Sequence, residues 1–231
     1  MFFALLFLFA FSLCLPCCVV TEKVHQKRSA DPCANAVNPA NAAHTIYASV
    51  VAAIKRRKQG KELQYNQFAF LYVHGTSKQV VYNMKKVRDV LQGNEPLPYL
   101  QYTWPAKSKK TNFLFGVTGP NSRGQGPNNN EEHAEHMLLS QFGPMENGFR
   151  ERNKQCACFV ILSSKRDPCR DGKTLSGCSY DYLRAKDSLA GHCKSTRFYL
   201  HVVGPVEARF ANIWAGTQTL MKDNGIGIIS P

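Results

Sequence analysis

The sequence predicts a three-layer α/β/α sandwich, in which helices cover both faces of a central sheet. Short apolar runs typical of buried strands alternate along the chain with longer segments whose apolar residues recur every three or four positions, as in helices. Strands that alternate with helices favour this fold class. About 200 residues are enough for one domain with a sizeable core. An α+β domain with a hairpin at one end is the alternative that the pattern leaves open.

The N-terminus has the composition of a secretory signal peptide. The first 20 residues carry no charged side chain, and Phe2 to Leu15 is almost wholly apolar. We expect a signal peptide over residues 1–20, with an uncleaved signal anchor as the alternative. No later stretch reaches the roughly 18 to 20 apolar residues of a membrane span. The sequence therefore predicts a secreted mature chain without a span, made of a flexible tail (21–40) and one domain (41–231).

The first half of the domain predicts one long helix followed by strands. Ile46, Val50 and Ile54 recur at helical spacing, and a basic run followed by Gly60 suits the end of a helix. The predicted elements are a helix over Asn41–Lys58, strands over Gln67–Val73 and Lys78–Met84 joined as a hairpin by His74 to Ser77, a short helix over Lys85–Leu91, and a strand over Asn112–Thr118.

The second half predicts helices and strands in alternation after a Gly/Pro/Asn-rich loop over Gly119–Asn130. The continuous apolar run Cys156–Leu162 is typical of a strand buried on both faces. The polar residues before it, rich in Gly, Pro and Arg, predict no regular element. The other predicted elements are helices over Glu131–Phe142, Ser179–Leu189 and Pro205–Lys222, and strands over Thr196–Val203 and, at the sheet edge, Ile226–Ile229.

The cysteines indicate an oxidising compartment. Of nine cysteines, the three within the predicted signal peptide are removed with it, and six remain: Cys33, Cys156, Cys158, Cys169, Cys178 and Cys193. An even number in a secreted chain predicts disulfides. Cys156 and Cys158 are two apart on a predicted strand, so they point to one face and are poorly placed to bond each other. We expect separate partners among Cys33 and Cys193, or buried thiols.

The charge of the chain predicts a polyanionic partner. The chain has 29 basic and 16 acidic residues, a net charge of +13, which suits nucleic acid, glycan or an anionic surface. Tyr102 and Trp104 lie beside Lys107, and aromatic rings next to basic side chains can stack on bases and pair with phosphates. These three residues are candidate substrate-binding residues, with ordinary strand and core positions as the alternative.

A first short motif, His133-Ala134-Glu135, places possible metal-binding residues at a predicted helix start. Asn130 is a suitable N-cap, which places His133 within the first helical turn and Glu135 two residues later. Residues i and i+2 lie on different faces of a helix, so both need not bind one metal. A histidine ligand with a glutamate beside the metal-bound water is the arrangement that base catalysis requires. His136 is predicted to be an ordinary surface or packing histidine.

A second motif, Asp167-Pro168-Cys169, follows the buried strand, and Cys178 comes later in the chain. Proline suits the first position of a helix. A cysteine at a helix start has its thiolate form favoured by the backbone N–H groups. The thiolate is the form of cysteine that binds zinc. The motif therefore predicts a second metal-binding position after the strand.

Together these residues resemble the signature of the zinc-dependent, cytidine deaminase-like superfamily, His-x-Glu followed by Pro-Cys-x-x-Cys. The order of elements from Asn112 to Lys222 is also similar to that family's. The resemblance implies a cytidine deaminase-like sandwich in which His133, Cys169 and Cys178 bind Zn²⁺, with water in the fourth position. It implies that Glu135 moves a proton from that water to the base and then to the leaving ammonia.

The sequence departs from that signature between the two cysteines. Eight residues, Arg170 to Gly177, separate them where the family usually has two. Loop closure costs only logarithmically more with length, so Cys178 is either a zinc ligand or a half-cystine. Three functions remain open. One is a secreted zinc-dependent deaminase of cytosine or adenine, in nucleic acid or a nucleoside. The second is a non-catalytic, disulfide-stabilised basic protein that binds nucleic acid or other polyanions. The third is a zinc hydrolase of a substrate other than a base, which would use the same ligands.

Overall fold

A computed structural model describes residues 31–57, 67–84, 87, 102–104, 108–118, 133–165, 168, 175–204 and 211–230. The residues from Asp31 to Pro231 form one compact unit. The predicted signal peptide, the predicted loop over Gly119–Asn130 and most of the predicted helix over Lys85–Leu91 lie outside the described residues. Within the described part, no helix has the length and apolar character needed to cross a bilayer.

Most of the helices and strands that the periodicity predicts are present. The helices are α1 Pro39–Arg57, α2 Ala134–Ser140, α3 Phe142–Asn153, α4 Cys178–Asp187 and α5 Ala211–Asp223, with a short 3-10 turn at Ser108–Lys110. The strands are β1 Gln67–His74, β2 Tyr102–Trp104, β3 Phe113–Thr118, β4 Phe159–Ser164, β5 Arg197–Val202 and β6 Ile226–Ile229.

The strands form one mixed sheet in the order β2-β3-β1-β4-β5-β6. The pairs β2/β3, β3/β1 and β1/β4 are antiparallel, whereas β4/β5 and β5/β6 are parallel. Each parallel connection contains a helix, as a crossover between parallel strands requires. The general α/β class is therefore confirmed, and Ile226–Ile229 is the edge strand that the sequence predicts.

The core is divided between the two faces of the sheet because successive side chains on a strand point to opposite faces. In β1, Leu71 packs in one hydrophobic cluster and its neighbours Phe70 and Tyr72 pack in the other. Residues of α1 bury the face that carries Phe70 and Tyr72, whereas residues of α2, α3 and α4 bury the face that carries Leu71. The sheet is thus covered by helices on both faces.

The predicted hairpin is wrong. Residues 78–83 form no strand, and β1 is flanked instead by β3 and β4. Both edges of β1 are therefore occupied, and no hydrogen-bonding edge is left for a hairpin partner. The alternating residues Val80, Tyr82 and Met84 still pack, partly buried, against the cluster beneath α1. Their alternation reflects this packing of an extended segment rather than strand pairing.

The predicted helix over Glu131–Phe142 has different limits, and α3 was not predicted at all. His133 is the N-cap of α2 with an extended backbone, not a residue of the first turn. After a break at Gln141, α3 begins at Phe142. Its Gly and Pro content hides the helix in the sequence, but Phe142, Met145 and Phe149 line one buried face. Proline in the first turn of a helix is tolerated.

Two disulfides link distant parts of the described chain. Cys33 is bonded to Cys158 and Cys156 to Cys193. The expectation that Cys156 and Cys158 have separate partners in Cys33 and Cys193 is confirmed. The two cysteines lie just before β4, which begins at Phe159 rather than at Cys156. Cys178 belongs to neither disulfide, although it is fully buried.

A buried histidine lies beneath α1 and couples stability to pH. The side chain of His201, in β5, is fully buried, and its Nδ1 lies 2.9 Å from Ser163 Oγ. Burial, and secondarily the nearby His44, lowers the pKa of His201 from 6.5 to about 4. The folded protein therefore binds this proton less readily than the unfolded chain does. Its contribution to stability is present above pH 6.5 and is lost as the pH falls towards about 4.

We expect the free energy of unfolding to fall by about 3 kcal/mol through this one group between neutral pH and pH 4, because one pKa unit corresponds to about 1.4 kcal/mol. Urea unfolding of wild type and His201→Gln, measured from pH 7.5 to pH 4 in steps of ~0.5 unit, isolates the effect of His201 from that of the carboxylates. The variant should show a shallower decline. Parallel curves for the two proteins would contradict the prediction.

Candidate metal centre

Potential metal ligands at the starts of α2 and α4 lie close together, next to the end of β4. The start of α2 carries His133 and Glu135, the start of α4 carries Cys178, and the last residue of β4, Ser164, lies against Glu135. A nitrogen of His133, a carboxylate oxygen of Glu135 and the sulfur of Cys178 all lie within 4.8 Å of one another. This group of residues could hold a metal ion.

The distance between His133 and Cys178 is compatible with two ligands of one ion. The distance from His133 Nδ1 to Cys178 Sγ is 3.6 Å. Zinc bonds of ~2.1 Å to nitrogen and ~2.3 Å to sulfur at a tetrahedral angle separate the two ligand atoms by about 3.6 Å. The same separation also suits a weak thiol–imidazole hydrogen bond. The donor set of imidazole and sulfur, at this separation, is one that zinc accepts.

Glu135 is a buried carboxylate next to these two ligand atoms. Its side chain is fully buried, and the Ser164 hydroxyl donates a hydrogen bond to Glu135 Oε1 at 2.5 Å. Because Ser164 ends a strand that is buried along its length, its hydroxyl is held firmly. The hydrogen bond fixes the orientation of the carboxylate beside His133 and Cys178. A carboxylate held in this way can accept and return a proton.

The position of Cys178 is set by the residues around it in α4. Gly177, the N-cap, has φ of 104°, a backbone conformation that favours glycine, and Cys178 is the first helical residue. One turn later, the buried Tyr182 hydroxyl donates to the carbonyl of Tyr199 at 2.9 Å and accepts from the N–H of Leu162 at 3.2 Å. Burial raises the pKa of Tyr182 well above its usual range, so its hydroxyl keeps its proton and remains a hydrogen-bond donor. These bonds hold α4 against β4 and β5.

Cys169, the other predicted cysteine ligand, lies outside the described residues. Its neighbour Pro168 is described, and the carbonyl of Pro168 accepts a hydrogen bond from Ser179 Oγ at 3.0 Å. Ser179 directly follows Cys178. Pro168, one residue before Cys169, is therefore hydrogen-bonded to Ser179, one residue after Cys178.

His136 and Asp181 join the two helices one turn beyond the ligands. His136 Nδ1 lies 3.0 Å from Asp181 Oδ2, and Arg184 pairs with the same carboxylate at 2.6 Å. His136 follows His133 by three residues, and Asp181 follows Cys178 by three. The pair therefore ties α2 to α4 next to the point where their ligand atoms converge. His136 is not among the residues whose ligand atoms converge with Cys178.

We expect Asp181→Asn to weaken zinc binding by several-fold, less than the roughly 10- to 100-fold effect of residues that bond directly to a metal ligand, because Asp181 acts only through the His136 pair that holds α2 against α4. The unfolding free energy of the metal-free protein should change by about 1 kcal/mol or less, because the pair is partly solvated. Chelator competition measures the zinc affinity. Asp187→Asn, at an exposed position of the same helix, is the matched control, and equal affinities of the two variants would contradict the prediction.

A second group of potential ligands has a different explanation. Ligand atoms of Glu146, His192 and Cys193 also lie within 4.8 Å of one another. Cys193 is bonded to Cys156, so its sulfur is not a thiolate. Glu146 Oε1 is 3.7 Å from Arg150 Nε, and Oε2 is 3.9 Å from His192 Nε2. Basic partners surround this buried carboxylate, which makes the group a charge cluster beside a disulfide.

The predicted substrate-binding residues are only partly within the described chain. Tyr102 and Trp104 belong to β2, where they pair with Val117 and Phe115 of β3. The strand β2 also contacts α2, the helix that carries Glu135. Lys107 lies outside the described residues. The backbone thus brings β2 beside the candidate metal centre, and the substrate contacts of all three residues stay a prediction.

Two polar residues of the site, Ser164 and Asp181, were not singled out in the sequence. Ser164 follows the apolar run that the sequence predicts to end at Leu162. Two consecutive serines directly after a buried strand are the local pattern that could have identified it. Asp181 lies in the first turn of α4, where an acidic residue is expected for helix stability alone. Nothing local distinguishes Asp181 from an ordinary surface aspartate, because its partner is 45 residues away.

Comparison with protein-family models, with curated proteins and with solved structures finds no significant match to this chain.

Proposed function

We propose that this chain is a secreted zinc-dependent deaminase that hydrolyses the exocyclic amine of cytosine or adenine. The observation that carries the proposal is the convergence of His133 Nδ1 and Cys178 Sγ, 3.6 Å apart, beside the buried carboxylate of Glu135. An imidazole, a sulfur and an adjacent glutamate that is not needed as a ligand are the groups that zinc-dependent deamination of a base requires.

The fold supports the same function. The mixed sheet has helices on both faces, and both candidate ligands begin helices on the same face of it. This arrangement agrees with the cytidine deaminase-like sandwich implied by the His-x-Glu and Pro-Cys motifs. Cys169 is the third protein ligand of the proposal, supported by the hydrogen bond between Ser179 and the carbonyl of Pro168.

In this proposal His133, Cys169 and Cys178 hold the zinc ion. When bound, zinc lowers the pKa of a water molecule so that hydroxide is available near neutral pH. Glu135 accepts the proton of the attacking water and delivers it to the ring nitrogen of the base, and then assists departure of the amine. Water supplies the oxygen that replaces the amine, which leaves as ammonia. Ser164 holds the Glu135 carboxylate in the orientation that these transfers need.

The substrate and the compartment follow from charge and cysteine chemistry. A net charge of +13 favours a base within nucleic acid over a free nucleoside, because each phosphate contact adds to affinity. Tyr102, Trp104 and Lys107 are the proposed contacts to the strand, and the position of β2 beside α2 supports this. Two disulfides and an apolar N-terminus support secretion.

A second candidate function is a basic extracellular protein that binds nucleic acid or other polyanions without catalysis. The two disulfides and the high positive charge favour it. In that case Cys178 would be a half-cystine or a buried thiol. Polyanion binding would fall steeply with salt and would be the same in wild type and Glu135→Gln.

Metal content, thiol count and product analysis on one preparation test the proposal. The mature protein should contain one zinc ion per chain, with two disulfides and two cysteines that react only after chelation. Incubation with cytosine- or adenine-containing oligonucleotides should release ammonia in proportion to the uracil or hypoxanthine formed. Metal-free protein with all six mature cysteines oxidised would overturn the zinc site, and zinc-loaded protein that deaminates neither base would overturn the reaction.

A further inference from the structure

A polar groove lies at the end of the sheet opposite the candidate metal centre. Because β1 and β4 are antiparallel, His74 at the end of β1 pairs with Phe159 at the start of β4, whereas Ser164 is at the other end of β4. The two ends of β4, five residue rises apart, are separated by roughly 16 Å. The groove has a volume of about 440 Å³, within the roughly 300–1,000 Å³ of small-molecule sites.

One wall of the groove is the segment that follows β1, and hydrogen bonds hold it in place. His74 Nε2 lies 2.8 Å from the carbonyl of Ser77, and Asn112 Nδ2 donates to the carbonyl of Val81 at 2.9 Å. A carbonyl can only accept, so the His74 proton is on Nε2, and its Nδ1 accepts from the Tyr72 hydroxyl at 2.8 Å. Burial lowers the pKa of His74, so this histidine adds no charge to the groove at neutral pH.

The other wall carries the positive charge. Arg152, near the end of α3, donates to the carbonyls of Lys109 and Thr111 and so anchors the 3-10 turn that presents the exposed Lys110. None of the described residues that line the groove is acidic. A ligand with a negatively charged group is therefore attracted to the side of the groove formed by Lys110.

The groove also offers hydrogen-bond acceptors. Asn112 uses its amide N–H to bind the carbonyl of Val81, and Asn153 uses its own at 2.7 Å to bind the carbonyl of Phe149. The side-chain oxygens of both asparagines are left as acceptors. The carboxyl end of α3, where Asn153 lies, also has a partial negative charge. These acceptors suit a ligand that donates hydroxyl groups.

The described part of the groove presents no exposed aromatic ring for base stacking. Among its described lining residues the rings belong to Tyr72, His74 and Phe149, and each is at most 5 % exposed. Gly75 packs so closely on the Phe149 ring that an added Cβ would lie 3.1 Å from it. Proteins that bind single-stranded nucleic acid stack bases on exposed aromatic faces. Buried rings, amide acceptors and a basic rim instead match a ligand rich in hydroxyl groups that carries an acidic group.

We propose that this groove is a binding site for an acidic saccharide, separate from the metal centre. The sugar hydroxyls donate to Asn112 and Asn153, and a sulfate or carboxylate pairs with Lys110. The site does not depend on zinc or on catalysis.

Fluorescence anisotropy of the mature chain with a labelled sulfated hexasaccharide tests the site. Lys110→Glu and Gln155→Glu place a negative charge in the groove, the second by an isosteric change at a residue that makes only a 3.5 Å contact with Thr76. Each should weaken saccharide binding by about 10-fold, equivalent to about 1.4 kcal/mol. The matched controls are Lys222→Glu and Gln218→Glu on α5, which packs beside the edge strand β6. They should change the saccharide affinity by less than about 2-fold, well under 1 kcal/mol.

A single-stranded oligonucleotide of equal charge distinguishes a saccharide site from a general anion site. We expect the groove variants to lower oligonucleotide affinity no more than the α5 controls do. If the oligonucleotide loses as much affinity as the saccharide, or if the groove variants bind the saccharide as tightly as the controls, the proposal is wrong. Glu135→Gln should bind the saccharide as wild type does whether or not the chain is a deaminase, so failure of one proposal leaves the other testable.

Discussion

Replacing Glu135 with glutamine should lower the rate of base deamination by about 10²- to 10⁴-fold, the usual contribution of a general acid–base residue. Glutamine has the shape of glutamate and can still accept the hydrogen bond from Ser164. It cannot take up and return a proton. The substitution therefore removes the proton transfer while preserving the packing of a fully buried side chain.

The measurement combines single-turnover deamination with zinc content. Glu135→Gln should retain one zinc ion per chain, because His133, Cys169 and Cys178 are the proposed ligands. Glu146→Gln is the matched control, since Glu146 is equally buried under the same face of the sheet and has basic neighbours instead of candidate ligands. Its activity should stay near that of wild type. Loss of zinc from Glu135→Gln would show that this carboxylate is itself a ligand, and unchanged activity would exclude it as the proton carrier.

Replacing Cys178 with serine should abolish zinc binding at stoichiometric concentrations, with an affinity at least about 100-fold lower than that of wild type. Changes in residues that only orient ligands already cost up to that factor, and a serine hydroxyl is a poor substitute for a thiolate. Activity should disappear with the metal. The same variant tests whether Cys178 is instead disulfide-bonded. If it is, its partner cysteine would become a free, reactive thiol in the variant.

The matched control for Cys178→Ser is the double substitution Cys33→Ser with Cys158→Ser. It makes the same chemical change at a disulfide, so it should lower stability by about 2–5 kcal/mol and leave zinc content unchanged. Elemental analysis and thiol titration under denaturing conditions separate the two effects. Full zinc occupancy in Cys178→Ser, or a new thiol at Cys169, would contradict the role of Cys178 as a ligand.

Local patterns predicted most of the regular elements because each depends on nearby residues. The apolar run of β4 and the spacing of apolar residues in α1 both report burial of one or both faces. The predictions failed where local composition opposed tertiary packing. The Gly and Pro residues of α3 disguised a helix whose Phe and Met residues are buried against the sheet. The alternation around Val80 indicated a strand, but both edges of β1 were already paired.

The sequence by itself determined the general α/β class, that Cys156 and Cys158 are poorly placed to bond each other, and the residue types that could bind a metal. These depend on periodicity, on the pleat of a strand and on side-chain chemistry. Only the tertiary structure decided that Cys178 lies 3.6 Å from His133 across 45 residues of chain, that Ser164 holds Glu135, and that a polar groove forms at the far end of the sheet. Such contacts join distant segments, and their distances depend on how the helices pack on the sheet, which no local pattern encodes.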